Sequence, residues 1–311
     1  MFDELCRRQR GMVSRQQARR CGITDDTIRA HLDSGRWRRL FEGTYCTFSG
    51  PLPRDCLLWG VVLRMGRGAL LSHETAAELA GLIDQPYPTV HVTVPASRRV
   101  TPPPLVRVHT TARAAQIEHP SRLPPQSRVD ETVVDLTQSA ATPAEAMGWI
   151  ARACGRRLTT ADRIRDALSQ RKKLRWRQEL TATVADVGLG CHSVLEVRYL
   201  RDVERAHRLP TGVRQHSDHT AGVATYDDVR YDAYRLSVEL DGRTGHSEEG
   251  RFRDMRRDNA RTCDGHAVLR YGWVDVVGRP CEVAAQVAEV LASRGWAGTP
   301  RRCGATCRLL W

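Results

Sequence analysis

Lysine is almost missing from this 311-residue chain: of 48 basic residues only Lys172 and Lys173 are lysines, and all the rest are arginines. Selection for phosphate contacts draws on both residue types, so the imbalance points to coding bias. It tempers what a net charge of +12 says about a nucleic-acid partner. Long apolar runs are also missing. The longest, such as Cys56–Leu63 and Ala69–Leu71, fall far below the roughly 20 residues of a spanning helix, and mean hydropathy is -0.45. No apolar segment follows the charges of Met1–Arg10, so the reading is a cytoplasmic protein without a secretory signal or membrane contact. Ten cysteines contain no C-x2-C pair, which removes zinc-ribbon and thioredoxin motifs and leaves reduced thiols as the expectation. His73-Glu74 lacks the H-E-x-x-H spacing, so a helix start capped by Ser72 accounts for it better than a metal.

What is present is charge with a definite placement. Residues 1–50 carry net +4 and residues 151–192 net +6, while 51–150 and 193–270 are both neutral. An excess confined to two short stretches is harder to assign to codons than the total. The length suits two or three domains. The chain reads as α/β (α+β overall) in five segments: 1–50, 51–150, 151–190, 191–298 and a tail, 299–311.

In residues 1–50 a first helix covers about Phe2–Arg10. Ser14 and Gln17 form a capping box for a second helix through Arg20, which Gly22 stops. Thr24 opens a third helix, Asp25–Asp33, and two short strands follow around Glu42-Gly43. Helix, turn, helix and basic hairpin is the plan of a winged helix-turn-helix. Its core would be Val13, Ala18, Ile23, Ile28, Leu32, Trp37 and Leu40. Arg29 would face the groove of duplex DNA, and Arg36, Arg38 and Arg39 would contact phosphates. The run Gly11-Met12-Val13-Ser14-Arg15-Gln16-Gln17-Ala18, with Gly22-Ile23, Ser34–Leu40 and Gly43-Thr44-Tyr45, resembles the N-terminal winged helix of AbiEi-type antitoxins of type IV toxin–antitoxin systems.

Residues 51–150 form a mixed α/β middle region, with helices at Cys56–Met65 and Ser72–Leu82 and strands at Thr89–Val94 and Leu105–Thr110. It resembles the middle of AbiEi-like proteins in outline. Residues 151–190 are a basic helical connector containing Arg171, a charged run that is either a solvated face or a phosphate contact.

Chemistry concentrates in residues 190–275. Ser193–Glu196 opens a helix running to about His207, and strands follow near Gly212–Gln215, Asp228–Tyr231 and Arg235–Gly242. Asp228 and Glu239 can converge across a hairpin. Paired carboxylates are costly without a divalent cation, and oxygen-only ligands favour Mg²⁺. Asp241 and His246 lie just downstream. This arrangement resembles the core of the PD-(D/E)xK nuclease fold. The pattern Asp228 … Glu239-Leu240-Asp241-Gly242 … His246 … Arg253-Asp254 … Arg257 … Gly265 … Leu269-Arg270 resembles the domain related to very-short-patch-repair endonucleases.

The resemblance implies a C-terminal restriction-endonuclease-like α/β domain in which Asp228 and Glu239 hold Mg²⁺ (or Mn²⁺). It makes His246 the general base or phosphate contact and gives Glu196 the task of orienting water. The fold's usual Lys, two positions after Glu239, is Asp241 here, so Arg257 or His246 would neutralise the phosphate. Each residue also has a plainer reading: Glu196 completes a Ser-x-x-Glu capping box, and Asp241-Gly242 is a turn dipeptide. The function implied is a metal-dependent endonuclease acting on DNA in phage defence, toxin–antitoxin biology or repair. The alternative is a catalytically inactive repressor or antitoxin with a cognate toxin or defence-system partner. Either is compatible with a homodimer. The tail carries Cys303 and Cys307 as C-x3-C, half a metal site or a small disulfide loop by spacing; with no second ligand pair nearby, ordinary thiols are the favoured reading.

Overall fold

A computed structural model of the chain describes residues 1–188, 193–220, 223–241 and 265–309, with the side chains of 215–227 and 241 outside the description. The α/β class expected from the sequence is what forms. The chain divides into two compact units, Met1–Ala140 with Asp166–Lys173, and Ala141–Arg165 with Leu174–Trp311. Among the described residues no helix is long and apolar enough to cross a membrane.

The first unit opens with α1 (Phe2–Arg8), β1 (Met12–Ser14), α2 (Arg15–Arg20), α3 (Asp25–Asp33), β2 (Arg38–Phe41) and β3 (Thr44–Cys46). The strands form an antiparallel sheet in the order β1-β3-β2, which completes a winged helix. The expected capping box forms: Ser14 Oγ accepts the Gln17 N–H at 3.2 Å, and Gln17 Oε1 accepts the Ser14 N–H at 3.0 Å. Gly22 ends α2 with φ +87°, a left-handed conformation that favours glycine.

The strand period of two sorts the core into two layers. Val13 and Tyr45 join Ala18, Ile28 and Trp37, with Ile23 and Leu32 against them. Met12 and Cys46 point to the opposite side, where Trp59 of α4 (Arg54–Met65) covers them. Leu40, expected in the first layer, packs in the second. The approach there is close enough that a Cβ on Gly60 would lie 2.3 Å from Leu40 Cδ2. Helix α4 therefore ties residues 1–50 to the remainder of the first unit.

Beyond it lie β4 (Leu70–Leu71), α5 (His73–Leu79), β5 (Val90–Pro95), β6 (Val106–Thr111), α6 (Ala114–Ile117) and α7 (Val129–Ser139). Strand β5 pairs antiparallel with β4 and parallel with β6. Leu58, Val61 and Met65 of α4 pack against Leu71, Val92 and Val94. Under α7 lies a charge network. Glu131 has no solvent exposure, and its carboxylate meets Arg113 at 2.6 Å and Arg171 at 2.7 Å. Arg171 also reaches Asp135 at 2.8 Å. Arg171, read from sequence as part of a solvated or phosphate-contacting run, is a structural counter-ion. Two buried carboxylates need a guanidinium, and nothing local in the sequence announces that demand.

The second unit contains α8 (Pro143–Gly155), α10 (Arg177–Gly188) and α11 (Val194–Arg198), which continues as a π-helical turn, Tyr199–Arg205. Helix α9 (Ala161–Ser169) runs across the division between the units. Then come β7 (Val213–Thr220), β8 (Val223–Tyr231), β9 (Leu236–Asp241), β10 (Ala267–Gly272), α12 (Trp273–Gly278) and α13 (Pro280–Ser293). The sheet order is β10-β9-β8-β7, with β7, β8 and β9 antiparallel and β10 parallel to β9. One face is apolar: Val229, Tyr231, Leu236, Val238, Leu240 and Tyr271 pack with Leu195, Tyr199 and Val203 and with Val283, Val287 and Leu291 of α13. Another buried acid, Glu204, packs beside this core. Glu204 accepts from the Gly212 N–H at 3.2 Å and from Tyr231 Oη at 3.0 Å, and it pairs with Arg214 at 3.0 Å.

Removing one partner from a buried charge network strands the others. The Glu131→Gln variant is therefore expected to lose about 3 kcal/mol of unfolding free energy, read as a lower urea midpoint with an unchanged m-value.

Candidate functional site

The carboxylates singled out from sequence lie on adjacent strands, Asp228 on β8 and Glu239 on β9. In the β8–β9 ladder Val229 opposes Val238 and Arg230 opposes Ser237. The pairing ends at Val229 and Val238; Asp228 and Glu239 are the next residues of the two strands, and alternation puts both on the face away from Val229 and Val238. Asp228 Oδ2 accepts the backbone N–H of Leu240 at 2.7 Å, which holds the carboxylate across the hairpin end. On the other flank the parallel register aligns Arg270 with Glu239, and Arg270 Nη2 lies 2.8 Å from Glu239 Oε2. Sequence reasoning places Arg270 in the family pattern without a role. Only the β9–β10 register reveals that it is the cation beside Glu239.

Alternation along β9 holds for direction but not for burial. Ser237 and Glu239 are 0% and 6% exposed although they lie on the polar face. Ser237 Oγ is 2.8 Å from His266 Nε2. Asp241 ends β9 in register with Gly272, its side chain outside the description. His246, Arg253, Asp254 and Arg257 lie outside the described residues. Glu196 is 3% exposed in the first turn of α11, where its backbone N–H donates to Ser193 Oγ at 3.1 Å. That is the serine half of the capping box. Among the described residues, Glu196, Asp228 and Glu239 are not a set whose ligand atoms all lie within 4.8 Å of one another.

The basic surface of the winged helix is built from α3 and the hairpin. Arg29 is exposed on α3 and sits 3.2 Å from Asp26. Asp25 takes a two-pronged hydrogen bond from Arg15, at 2.8 and 2.7 Å, and this bond holds its carboxyl below the usual range. The acids that open α3 thus carry their own arginine partners. Arg36, Arg38 and Arg39 are all exposed. Arg36 Nε donates to Ser34 Oγ at 3.1 Å, and Arg38 donates to the Gly50 carbonyl. Arg38 therefore anchors the chain leaving the hairpin as well as adding charge.

A cluster with no recognisable sequence motif appears in the first unit. His73, His91 and His109 bring their ring nitrogens together, with His91 Nδ1 3.0 Å from Glu74 Oε2 and 3.1 Å from His109 Nε2. Ser72 does stand at the N-cap of α5, but its side chain makes no capping bond; its Oγ accepts from Thr93 Oγ1 at 2.8 Å. His73 has φ +50°, a left-handed conformation costing a non-glycine residue about 1 kcal/mol. The rings of His73 and His109 stack at 3.6 Å and 14°. Stacked rings aim their in-plane lone pairs side by side and not at a common point, which suits packing better than metal ligation.

Burial pushes His73 down to about 4 and His109 down to about 3, the neighbouring histidines adding to the effect. Burial opposes ionisation of Glu74, but the adjacent His91 and its own backbone N–H bring its carboxyl to about 2. These groups take up protons more readily when unfolded, so each withdraws stability as pH falls, the histidines from about 6.5 downward. Asp135 acts in the opposite sense: burial, against the pull of Arg171, raises it to about 6. It therefore offsets part of the loss between about pH 6 and 4. The urea midpoint should fall between pH 7 and pH 5, with a shallower fall in the His73→Gln/His109→Gln variant. An equal slope in both proteins removes the histidines as its cause.

Residues 3–47 match the family described as transcriptional regulator, AbiEi antitoxin. That span runs from the second residue of α1 through β3, nearly the whole winged helix. No curated protein matches the chain.

Proposed function

We propose that this chain binds duplex DNA through its winged helix and hydrolyses phosphodiester bonds at the polar face of β9, with Mg²⁺ (or Mn²⁺) held by Asp228 and Glu239. The observation that carries the reading is the register. Two carboxylates stand just beyond the paired part of adjacent strands, Asp228 bonded across to the Leu240 N–H next to Glu239, in a helix-led sheet whose fourth strand runs parallel to the third. The donor set is oxygen-only, which suits Mg²⁺ and excludes a soft-metal preference. A divalent ion there would polarise a phosphate and lower the pKa of bound water.

The chain's own residues supply the rest. The Leu240 N–H fixes the orientation of the Asp228 carboxylate. Arg270 compensates for Asp241 standing where the wider nuclease fold has Lys. Its guanidinium sits beside Glu239 and carries the positive charge the phosphate needs. Glu196, Asp241 and His246 keep the roles the nuclease resemblance implies: Glu196 orients water, Asp241 adds a third carboxylate, and His246 handles a proton or the phosphate.

Binding to DNA rests on the match of residues 3–47 to a regulator family and on the exposed arginines of α3 and the hairpin. A second reading has its own support. Arg270 already neutralises Glu239, as it would in a scaffold that has given up its metal. The protein would then be a regulator or antitoxin, with a cognate toxin or a second copy of the chain as partner.

Two measurements separate the readings. On varied DNA and RNA with Mg²⁺ or Mn²⁺, Asp228→Asn and Glu239→Gln should each lower cleavage by at least about 100-fold while leaving DNA binding intact. The Arg36→Ala/Arg39→Ala variant should bind more weakly, with a salt slope shallower by about 2. Specific binding to its own promoter, with no metal-dependent cleavage above the carboxylate variants, would leave only the regulator.

A further inference from the structure

A four-residue cluster in the second unit lies apart from the carboxylates and has the chemistry of a different metal. We propose that His207, Cys281, Cys303 and Cys307 form a structural zinc site. The four residues come from three places: the end of the turn after α11, the start of α13, and the tail beyond it. Their ligand atoms, one imidazole nitrogen and three sulfurs, all lie within 4.8 Å of one another. Cys307 Sγ is 3.6 Å from Cys281 Sγ and 3.7 Å from His207 Nε2, and Cys281 Sγ is 3.7 Å from Cys303 Sγ. A tetrahedral zinc with Zn–S legs of about 2.3 Å has S···S edges of about 3.8 Å. A disulfide would need about 2.05 Å, and all three thiols are free.

The surroundings orient the ligands. His207 is fully buried, and its Nδ1 is 3.0 Å from the Val203 carbonyl. A carbonyl only accepts, so Nδ1 carries the proton and Nε2 turns its lone pair toward the sulfurs. This is the ring state that zinc-bound histidines adopt. The Leu309 N–H donates to Cys307 Sγ at 3.4 Å, a bond that favours thiolate. Cys281 is the second residue of α13, where the helix dipole favours a negative sulfur.

The donor set discriminates. Three thiolates and an imidazole are soft ligands that select zinc over Mg²⁺, and four protein ligands close the coordination shell, as in structural and not catalytic sites. The site would do mechanical work. Residues 297–309 have no helix or strand, yet Cys307 and Leu309 are buried in the core beneath the sheet. The tail is held there by few backbone bonds, among them the Arg301 N–H to the His207 carbonyl at 2.8 Å. Ligation by Cys303 and Cys307 would fasten it to α13 and to the turn after α11. This inference does not depend on nuclease activity and needs no contact with DNA.

The test uses the full chain purified without chelator. Elemental analysis should find one zinc per chain. Cobalt substitution should give the absorption of a tetrahedral thiolate centre. Alkylation followed by mass spectrometry should find Cys281, Cys303 and Cys307 protected by zinc while Cys6 and Cys21 react regardless. Cys303 is exposed, so Cys303→Ser should fold yet lose zinc to a competing chelator at least about tenfold faster. The wild-type protection pattern tests the site even if that variant misfolds. A folded, metal-free chain whose three thiols react equally with and without added zinc would overturn the proposal. So would a disulfide between any two of them, or protection confined to other cysteines.

Discussion

The register of β9 is the constraint on which the second unit depends. Leu236, Val238 and Leu240 must face the core, because that core is also the seat of α13 and of the helix before β7. A shift of one residue would exchange the two faces and bury Glu239 in an apolar layer. Once the apolar face is seated, the opposite face has no freedom. Glu239 falls on the same side as Asp228 of the neighbouring strand and in line with Arg270 on the other. The polar chemistry is thus a by-product of apolar packing. It is tuned by the choice of side chain at positions whose direction is already decided.

The first unit obeys the same logic at a smaller scale. The three-stranded sheet is two-sided, with α2 and α3 on one layer and α4 on the other. The exposed arginines therefore project from a scaffold braced from behind. Two of the buried acids sit where several partners meet. Glu131 is shared by Arg113 and Arg171, and Glu204 is held by Arg214, Tyr231 and the Gly212 amide. In both units the low-dielectric interior tolerates charge only as a network, because an isolated ion would cost several kcal/mol.

The sequence was most legible where the signal is local. The Ser14–Gln17 box, Gly22 and the span Asp25–Asp33 are written in neighbouring residues, and the structure reproduces them. Asp228, Glu239 and their spacing were equally visible. Less legible was everything that requires a distant partner. Leu40 changes layer because α4 arrives from outside the motif. Arg171 becomes a counter-ion for acids some 40 residues away, and Ser72 gives up its cap to meet Thr93.

Composition, capping and strand alternation determined by themselves that this is an α/β chain beginning with a winged helix. Those features depend on interactions within a few residues, where spacing in sequence is spacing in space. Tertiary structure alone decided that Arg270 stands beside Glu239, that three histidines cluster, and that His207 meets three cysteines spread over the last helix and the tail. Each of these depends on sheet order and helix docking, which bring together residues that no sequence window contains. The scarcity of lysine fits the same division. Arginine's planar fork suits the buried carboxylates of this fold, and only the folded chain reveals which arginines were needed for that.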